Sequence, residues 1–367
     1  MPYVADQPVP YIVIGLCVIT LLVLILPFIV KKVEENLEFF FLGMGICAVT
    51  VSGLWSWELV CDALKAPVII GTLPIGIFQV VLVFGLLIHY FNQTVCRGIL
   101  AVAAKLGWRW FTFLLILILG LLCSVISIIM AAVLLSEIVA ALPLDKVTKI
   151  KFTVIACFAI GLGAVLTPVG EPLSTILVAK LAGPPFDAGF IFPLQVFGIY
   201  IIPAVVVIAL FGAFYIGRNV DLKHFSHDVV YSETLKTVIL RAVKVYVFVA
   251  ALVLLGEGMK PLIVWYVVHV PAWALYWMNM VSAILDNATL TAMEIGPTLM
   301  LPQIIGIIMG LLIAGGMLIP GNIPNIVAAG RLRINMKEWA LIGVPVGMVI
   351  MTAFFLILLY SFLGQTG

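Results

Sequence analysis

The 367-residue chain is 64% hydrophobic and only 10% charged, with a net charge of +2 and a mean hydropathy of +1.29. Soluble domains carry about 25% charged and about 45–50% apolar residues. The composition therefore excludes a large cytosolic enzyme, and it offers no basic face to nucleic acid. A spanning helix needs about 20 apolar residues, so a chain of this length holds roughly eight to eleven membrane segments.

Residues 1–10 contain no Lys or Arg, and Lys31 and Lys32 follow the first apolar run. This reverses the charge order of a secretory signal and predicts a retained first helix with its N-terminus outside. Apolar runs occupy 11–30, 37–60, 68–91, 110–142, 152–182, 190–216, 237–256, 261–300, 303–330 and 338–362. Arg97, Lys105, Trp108 and Arg109 suit a cytoplasmic interfacial helix ahead of the fourth run. That run is 33 residues long, too long for one upright span and short for two. The six cysteines form no CxxC pair and read as small apolar packers.

Two runs are broken. Thr167-Pro168-Val169-Gly170-Glu171-Pro172 interrupts 152–182, and Pro320-Gly321-Asn322-Ile323-Pro324 interrupts 303–330. A shift of 152 residues superposes Gly163 on Gly315, Leu166 on Leu318, Pro168 on Pro320 and Pro172 on Pro324. Ser124–Ile138 and Ser282–Ile295 hold corresponding places ahead of the two breaks. The chain thus reads as two copies of one unit: span, re-entrant hairpin, broken helix, span.

Charge tests the topology. If 110–142 and 261–300 are hairpins and the other eight runs cross, sixteen of the 19 Lys and Arg fall on one face. Only Lys65, Lys180 and Lys260 fall on the other. The rich face is cytoplasmic by the positive-inside rule. The expected fold is an all-α polytopic membrane protein with two inverted-topology repeats. Each repeat has a re-entrant hairpin and a broken helix, giving about eight full spans and two hairpins, with N- and C-termini outside. Residues 1–60 are N-terminal spans, 68–216 the first repeat, 217–236 a cytoplasmic loop and 237–362 the second repeat. Inverted repeats with interrupted helices belong to secondary transporters, whose sites lie near the midplane.

Two prolines four apart cannot continue a helix. Unwound backbone at membrane depth survives where it is packed in protein or lines a cavity, and its carbonyls can ligate a cation. Glu171 sits inside the first break, with Thr167, Ser174 and Thr175 around it; Asn322 and Asn325 flank the second. Oxygen ligands of this kind suit a hard cation such as Na⁺.

The densest polar patch in any apolar run is Ser282 to Glu294, with Asp286, Asn287, Thr289 and Thr291. Asn287, Thr291 and Glu294 fall on one helical face. A carboxylate beside an amide and hydroxyls holds Na⁺ when ionised and releases it when protonated; the competing reading is a helix–helix hydrogen-bond patch. The first hairpin offers Ser124 and Ser127 but no Asp-Asn pair. Glu137, near its cytoplasmic end, reads equally as a ligand or as a snorkelling charge. His89 and His269 are isolated. No enzyme signature occurs, neither HExxH, Gly-x-Ser-x-Gly nor a Walker loop, and neither an enzyme nor a bound cofactor is expected.

Leu285-Asp286-Asn287-Ala288-Thr289-Leu290-Thr291, followed by the run from Ile319-Pro320 to Gly330, resembles the ion transporter superfamily. The nearest likeness is to NhaD-type sodium/proton antiporters and the related arsenite permeases and P-protein-like carriers. Gly163 to Glu171 is similar to the Thr-Pro-Ile-Gly-Asp stretch of the NhaD type. The chain also resembles a small prokaryotic family of unknown function described as cation transporters. The likeness covers roughly 110–340. It implies ion ligands at Asp286, Asn287 and Thr289, with others around Thr167, Glu171, Asn322 and Asn325. It also implies a homodimer in the lipid bilayer of a prokaryotic cytoplasmic membrane.

The expected function is Na⁺/H⁺ antiport by alternating access, with Na⁺ and H⁺ as cargo. Na⁺ would sit at Asp286, Asn287 and Asn322, with Asp286 and Glu171 titrating. Na⁺-coupled transport of a carboxylate, arsenite or other anion is the alternative within this class. A non-transporting scaffold or receptor is the alternative outside it.

Overall fold

A computed structural model of the chain describes residues 7–34, 36–69, 107–142, 144–216, 235–284 and 287–363, with isolated positions between 78 and 90. Among these residues there are helices and no strand. The run at 68–91 lies largely outside them, as do His89, Arg97, Lys105, most of the 217–236 loop, Leu285 and Asp286.

The N-terminal part holds α1 (Pro10–Ile29), α2 (Leu37–Ser52) and α3 (Trp57–Lys65). Gly53 ends α2 in the left-handed region at φ 70°, and Ser56 caps α3 by accepting the Leu59 N–H at 3.0 Å. The next five helices are α4 (Trp108–Ile126), α5 (Ile128–Ala141), α6 (Lys146–Gly163), α7 (Pro172–Lys180) and α8 (Phe192–Ile216). Asp145 caps α6 through the Thr148 N–H and hydroxyl, and those bonds hold its carboxyl below the usual carboxylate range. After α9 (Leu235–Gly258) and the short α10 (Lys260–Trp265) come α11 (Ala272–Met278), α12 (Asn287–Glu294), α13 (Leu301–Gly315), α14 (Ile323–Leu332) and α15 (Met336–Leu363).

Five helices are long and apolar enough to cross a membrane: α4, α6 with its extension to Leu166, α8, α9 and α15. A sixth is counted if Lys260–His269 and Ala272–Ala283 make one bent span. Shorter apolar helices add to them, among them Pro10–Val23, Glu38–Ser52 and Leu301–Gly315. The protein is a multi-pass helical membrane protein. Its outer helices turn apolar side chains outward, Leu341, Val349 and Leu356 on α15 for example. That distribution belongs to a lipid-facing surface.

The centre is built from α6 and α13, whose residues from Phe152 to Gly163 and from Gln303 to Gly315 are all buried. They pack on each other, and their surroundings correspond. Helices α4 and α8 flank α6 as α11 and α15 flank α13. The half-helices cross over: α7 lies against α12, and α14 lies against α5. Glycines permit the close approaches, as is usual between membrane helices. A Cβ on Gly163 would fall 1.5 Å from the Gly120 carbonyl oxygen, and one on Gly310 would fall 2.5 Å from that of Tyr276.

Both long polar-tipped runs are divided. The 110–142 run becomes α4 and α5, separated by Ser127 at φ 80°. They have 19 and 14 residues, so the first leg alone is of spanning length. The 261–300 run differs from a simple hairpin: the chain turns by 118° between His269 and Ala272 before α11 begins. Pro271 is the cause, since its extended backbone starts α11 and proline cannot continue the preceding turn. The Gln303 amide nitrogen holds the bend by donating to the carbonyls of Val268 (2.9 Å) and Val270 (2.8 Å).

Candidate functional site

The two interruptions have the same backbone form. Helix α6 ends at Gly163 and α13 at Gly315; the chain restarts at Pro172 in α7 and at Ile323 in α14. Glu171 and Asn322 occupy the N-cap positions with extended φ/ψ of −154°/159° and −151°/147°. A proline follows in the first turn each time, where its missing N–H costs nothing.

Ending a helix in the membrane frees carbonyls that need donors. In the first break Ser174 donates to the Val165 carbonyl at 2.5 Å and Thr175 to that of Pro168 at 2.6 Å. In the second, the Asn325 amide nitrogen donates to the carbonyls of Gly315 and Leu318, both at 2.8 Å. Ser174 and Asn325 each stand three residues past the N-cap. Their hydroxyl and amide hydrogens are thus committed to backbone. The Asn325 Oδ1 is a buried acceptor with no hydrogen-bond partner among the described residues.

Each break is docked on the tip of its own hairpin. At the first, Ile128 donates its backbone N–H to the Gly170 carbonyl at 2.7 Å, and Thr167 donates its hydroxyl to the Ser124 carbonyl. Thr167 also accepts the Val169 N–H at 3.2 Å. Ser124 donates its hydroxyl to Leu121, and Ser127 supplies the turn between α4 and α5. At the second, the Asn287 amide nitrogen meets the Ser282 hydroxyl and the carbonyls of Leu311 (3.1 Å) and Gly321 (3.3 Å). Ser282 also donates to the Leu311 carbonyl at 3.1 Å. The carbonyl oxygens of Ser282, Gly315 and Ala283 converge on Gly321, all within 2.8 Å of where a Cβ would stand. Asn322 completes this region from above α6: its Nδ2 is 2.7 Å from the Cβ position of Gly161.

The arrangement brings Ser282, Asn287, Asn322 and Asn325 together around the second break. Thr167, Glu171, Ser174, Thr175, Ser124 and Ser127 gather around the first. Glu171 is 3% exposed and stands where a helix N-terminus favours negative charge. Thr289 is buried on α12, the helix that packs on α7. Asp286, the central carboxylate expected from the sequence, lies outside the described residues. Among the described residues no three His, Cys, Asp or Glu side chains gather as a metal site. Carbonyls, amides and hydroxyls predominate, and such oxygen donors fit a hard monovalent cation better than a soft metal.

Two secondary candidates, Thr291 and Glu294, make other hydrogen bonds. Thr291 spends its hydroxyl on the Asn287 carbonyl at 2.8 Å. Glu294 shares a helical face with Asn287 but lies about 10 Å further along the axis, at 1.5 Å per residue. Its carboxylate accepts the Asn279 amide at 2.9 Å. Asn279 was legible only as a second Asn in the same apolar run. Glu137 forms an ion pair with Arg331 of α14.

No curated protein matches the chain at a significant level. A family described as Protein of unknown function (DUF1646) matches residues 13–361, and the chain belongs to that family.

Proposed function

We propose that this protein is a secondary active cation transporter that exchanges Na⁺ for H⁺ by alternating access. The observation that carries the reading is the pair of equivalent interruptions, each docked on its hairpin tip, with half-helices exchanged between the two units. Oxygen-lined, interrupted backbone at membrane depth is what secondary transporters use to hold their ions.

In this reading the two units are inverted repeats, and the chain has about eight full spans, two hairpins and both termini outside. It resides in the cytoplasmic membrane of a prokaryote, as a homodimer. Na⁺ binds beside the second break, held by Asp286, the Asn287 and Asn322 amides and the Asn325 oxygen. Glu171 serves the first break. Protonation of a carboxylate removes the charge that holds the cation, which couples the two ions in opposite directions. Thr289, on the helix linking the breaks, supplies a further hydroxyl. Kinship with NhaD-type antiporters of the ion transporter superfamily belongs to the same proposal.

One observation favours a second reading, Na⁺-coupled anion transport. Lys180 is half-buried and packs against Gly256 of α9, a positive group of the kind an anion site uses. Two assays separate them. In everted vesicles or liposomes with an imposed proton gradient, Na⁺ or Li⁺ addition should dissipate the gradient, and Asp286→Asn should abolish the effect. A wild type silent to every monovalent cation ends the antiport reading. Na⁺-dependent uptake of a carboxylate or arsenite would then establish the second.

A further inference from the structure

Lys180 and Arg331 are each the ninth residue of their half-helix, in the last turn of α7 and of α14, within one residue of the register set by Pro172 and Pro324. Glu137-Ile138 and Glu294-Ile295 hold the same place in the second legs of the two hairpins. Because the half-helices cross over, Arg331 lies on the leg that carries Glu137, and Lys180 lies on the leg that carries Glu294.

The two ends differ. At one, the Arg331 guanidinium and the Glu137 carboxylate form an ion pair. At the other, the Lys180 ammonium rests against Gly256 of α9. The charged groups acting on it there are Glu257 and Lys260, which pair with each other at 2.8 Å. Glu294 turns away to Asn279. That amide's own oxygen is left buried with no hydrogen-bond partner among the described residues. Equivalent residues are thus joined at one end of the molecule and parted at the other.

We propose that Lys180 and Glu294 pair when Arg331 and Glu137 separate, so that the two ion pairs close opposite ends of the pathway between the units in turn. The proposal rests on the transporter reading. In a pair of inverted units, exchanging their conformations converts one access state into the other. A contact made in one unit is then made by its counterpart in the next state. The contact of Glu294 with Asn279 and the packing of Lys180 on Gly256 are the resting positions of the open pair.

The test is cross-linking, with no need for transport. A protease site placed between residues 217 and 234 separates both pairs onto different fragments. A cross-link then keeps the fragments together on a gel. Glu137→Cys/Arg331→Cys and Lys180→Cys/Glu294→Cys are compared in membranes with a short thiol cross-linker, in high Na⁺ and at low pH, against each single variant. The expected result is that the condition favouring one pair disfavours the other by at least about threefold. Parallel changes, unchanged yields, or a Lys180/Glu294 pair that never joins would overturn the proposal.

A second measurement uses charges instead of cysteines. Lys180→Glu and Glu294→Lys should each lower exchange by about tenfold or more, and the double exchange should restore most of it. Singles that match wild type, or a folded double variant with no recovery, count against the pair. If wild-type protein moves no cation, the transporter reading falls, while the cross-linking result still decides whether the pairs alternate.

Discussion

Ile128 donates its backbone N–H to the carbonyl of Gly170 at 2.7 Å, joining the first hairpin tip to the first break. The bond exists because Gly170 lets the unwound chain fold back on the end of α6. A Cβ there would stand 1.9 Å from the Ala164 carbonyl oxygen, which is backbone and cannot swing aside. Gly170→Ala should therefore destabilise the protein by about 3 kcal/mol or more, at the upper end of overpacking costs. Gly183→Ala, where a Cβ meets nothing within 4 Å, should change it by less than about 0.5 kcal/mol. Thermal unfolding of detergent-solubilised protein, followed by size exclusion, distinguishes them; equal midpoints would contradict the docking.

Ser174 and Asn325 do the same work at equivalent places, and Asn325 does twice as much of it. Asn325→Ala leaves two buried carbonyls without donors, a loss of about 2–3 kcal/mol, while Ser174→Ala leaves one and loses about 1–2 kcal/mol. Asn325→Asp should be worse than Asn325→Ala, because it sets a carboxylate against the same two oxygens. The order of the three melting midpoints checks this. An Asn325→Ala protein as stable as wild type would mean that those carbonyls find other donors.

Much of this centre was legible from the sequence for a simple reason. Proline and glycine fix backbone form locally, so the 152-residue offset of Pro168 and Pro320 located both breaks without tertiary information. The ends of α6 and α13, at Gly163 and Gly315, carry that same offset. Roles that depend on long-range packing were not legible. Nothing adjacent to Glu294 indicates that it turns to Asn279, and nothing near Glu137 identifies Arg331, 194 residues away, as its partner. The bend at Pro271 was hidden by hydropathy, since Lys260–His269 and Ala272–Ala283 are both apolar enough to be read as one run.

Asn322 gives a prediction about affinity. Its amide packs over Gly161, so the site can be disturbed from either residue. Asn322→Ala removes one neutral ligand and should raise the apparent KM for Na⁺ by about five- to tenfold, the equivalent of roughly 1–1.4 kcal/mol. Gly161→Ala should raise it in the same direction by displacing the amide, while leaving every proposed ligand in the sequence. Asp286→Asn should abolish exchange, and Glu171→Gln should instead lower the maximal rate, because it removes a titrating charge that is not a ligand of this Na⁺. The split between KM and maximal rate in the proton-gradient assay is the measurement. If Gly161→Ala leaves KM unaltered, Asn322 does not contact the cation.

Sidedness can be tested independently of transport. Lys146 pairs with Glu338 and Arg331 with Glu137, which gathers the start of α6 and the ends of α5 and α14 at one end of the molecule. Lys180, Glu257 and Lys260 gather at the other. Helices α2 and α9 run side by side in the same direction, since Glu38 meets Lys244 at 2.8 Å while Ala48 meets Gly258. The first group carries residues of the basic-rich face and the second those of the basic-poor face. The positive-inside rule predicts that the first end is cytoplasmic. An Arg97→Cys variant should then resist a membrane-impermeant thiol reagent in intact cells and react after permeabilisation. A Lys260→Cys variant should react from outside. Each is judged against the parent protein with its native cysteines. Ready labelling of Arg97→Cys in intact cells would reverse or break the assignment. The hairpin at 110–142 would fall with it, because counting that run as a single crossing moves every basic residue from Lys146 onward to the opposite face.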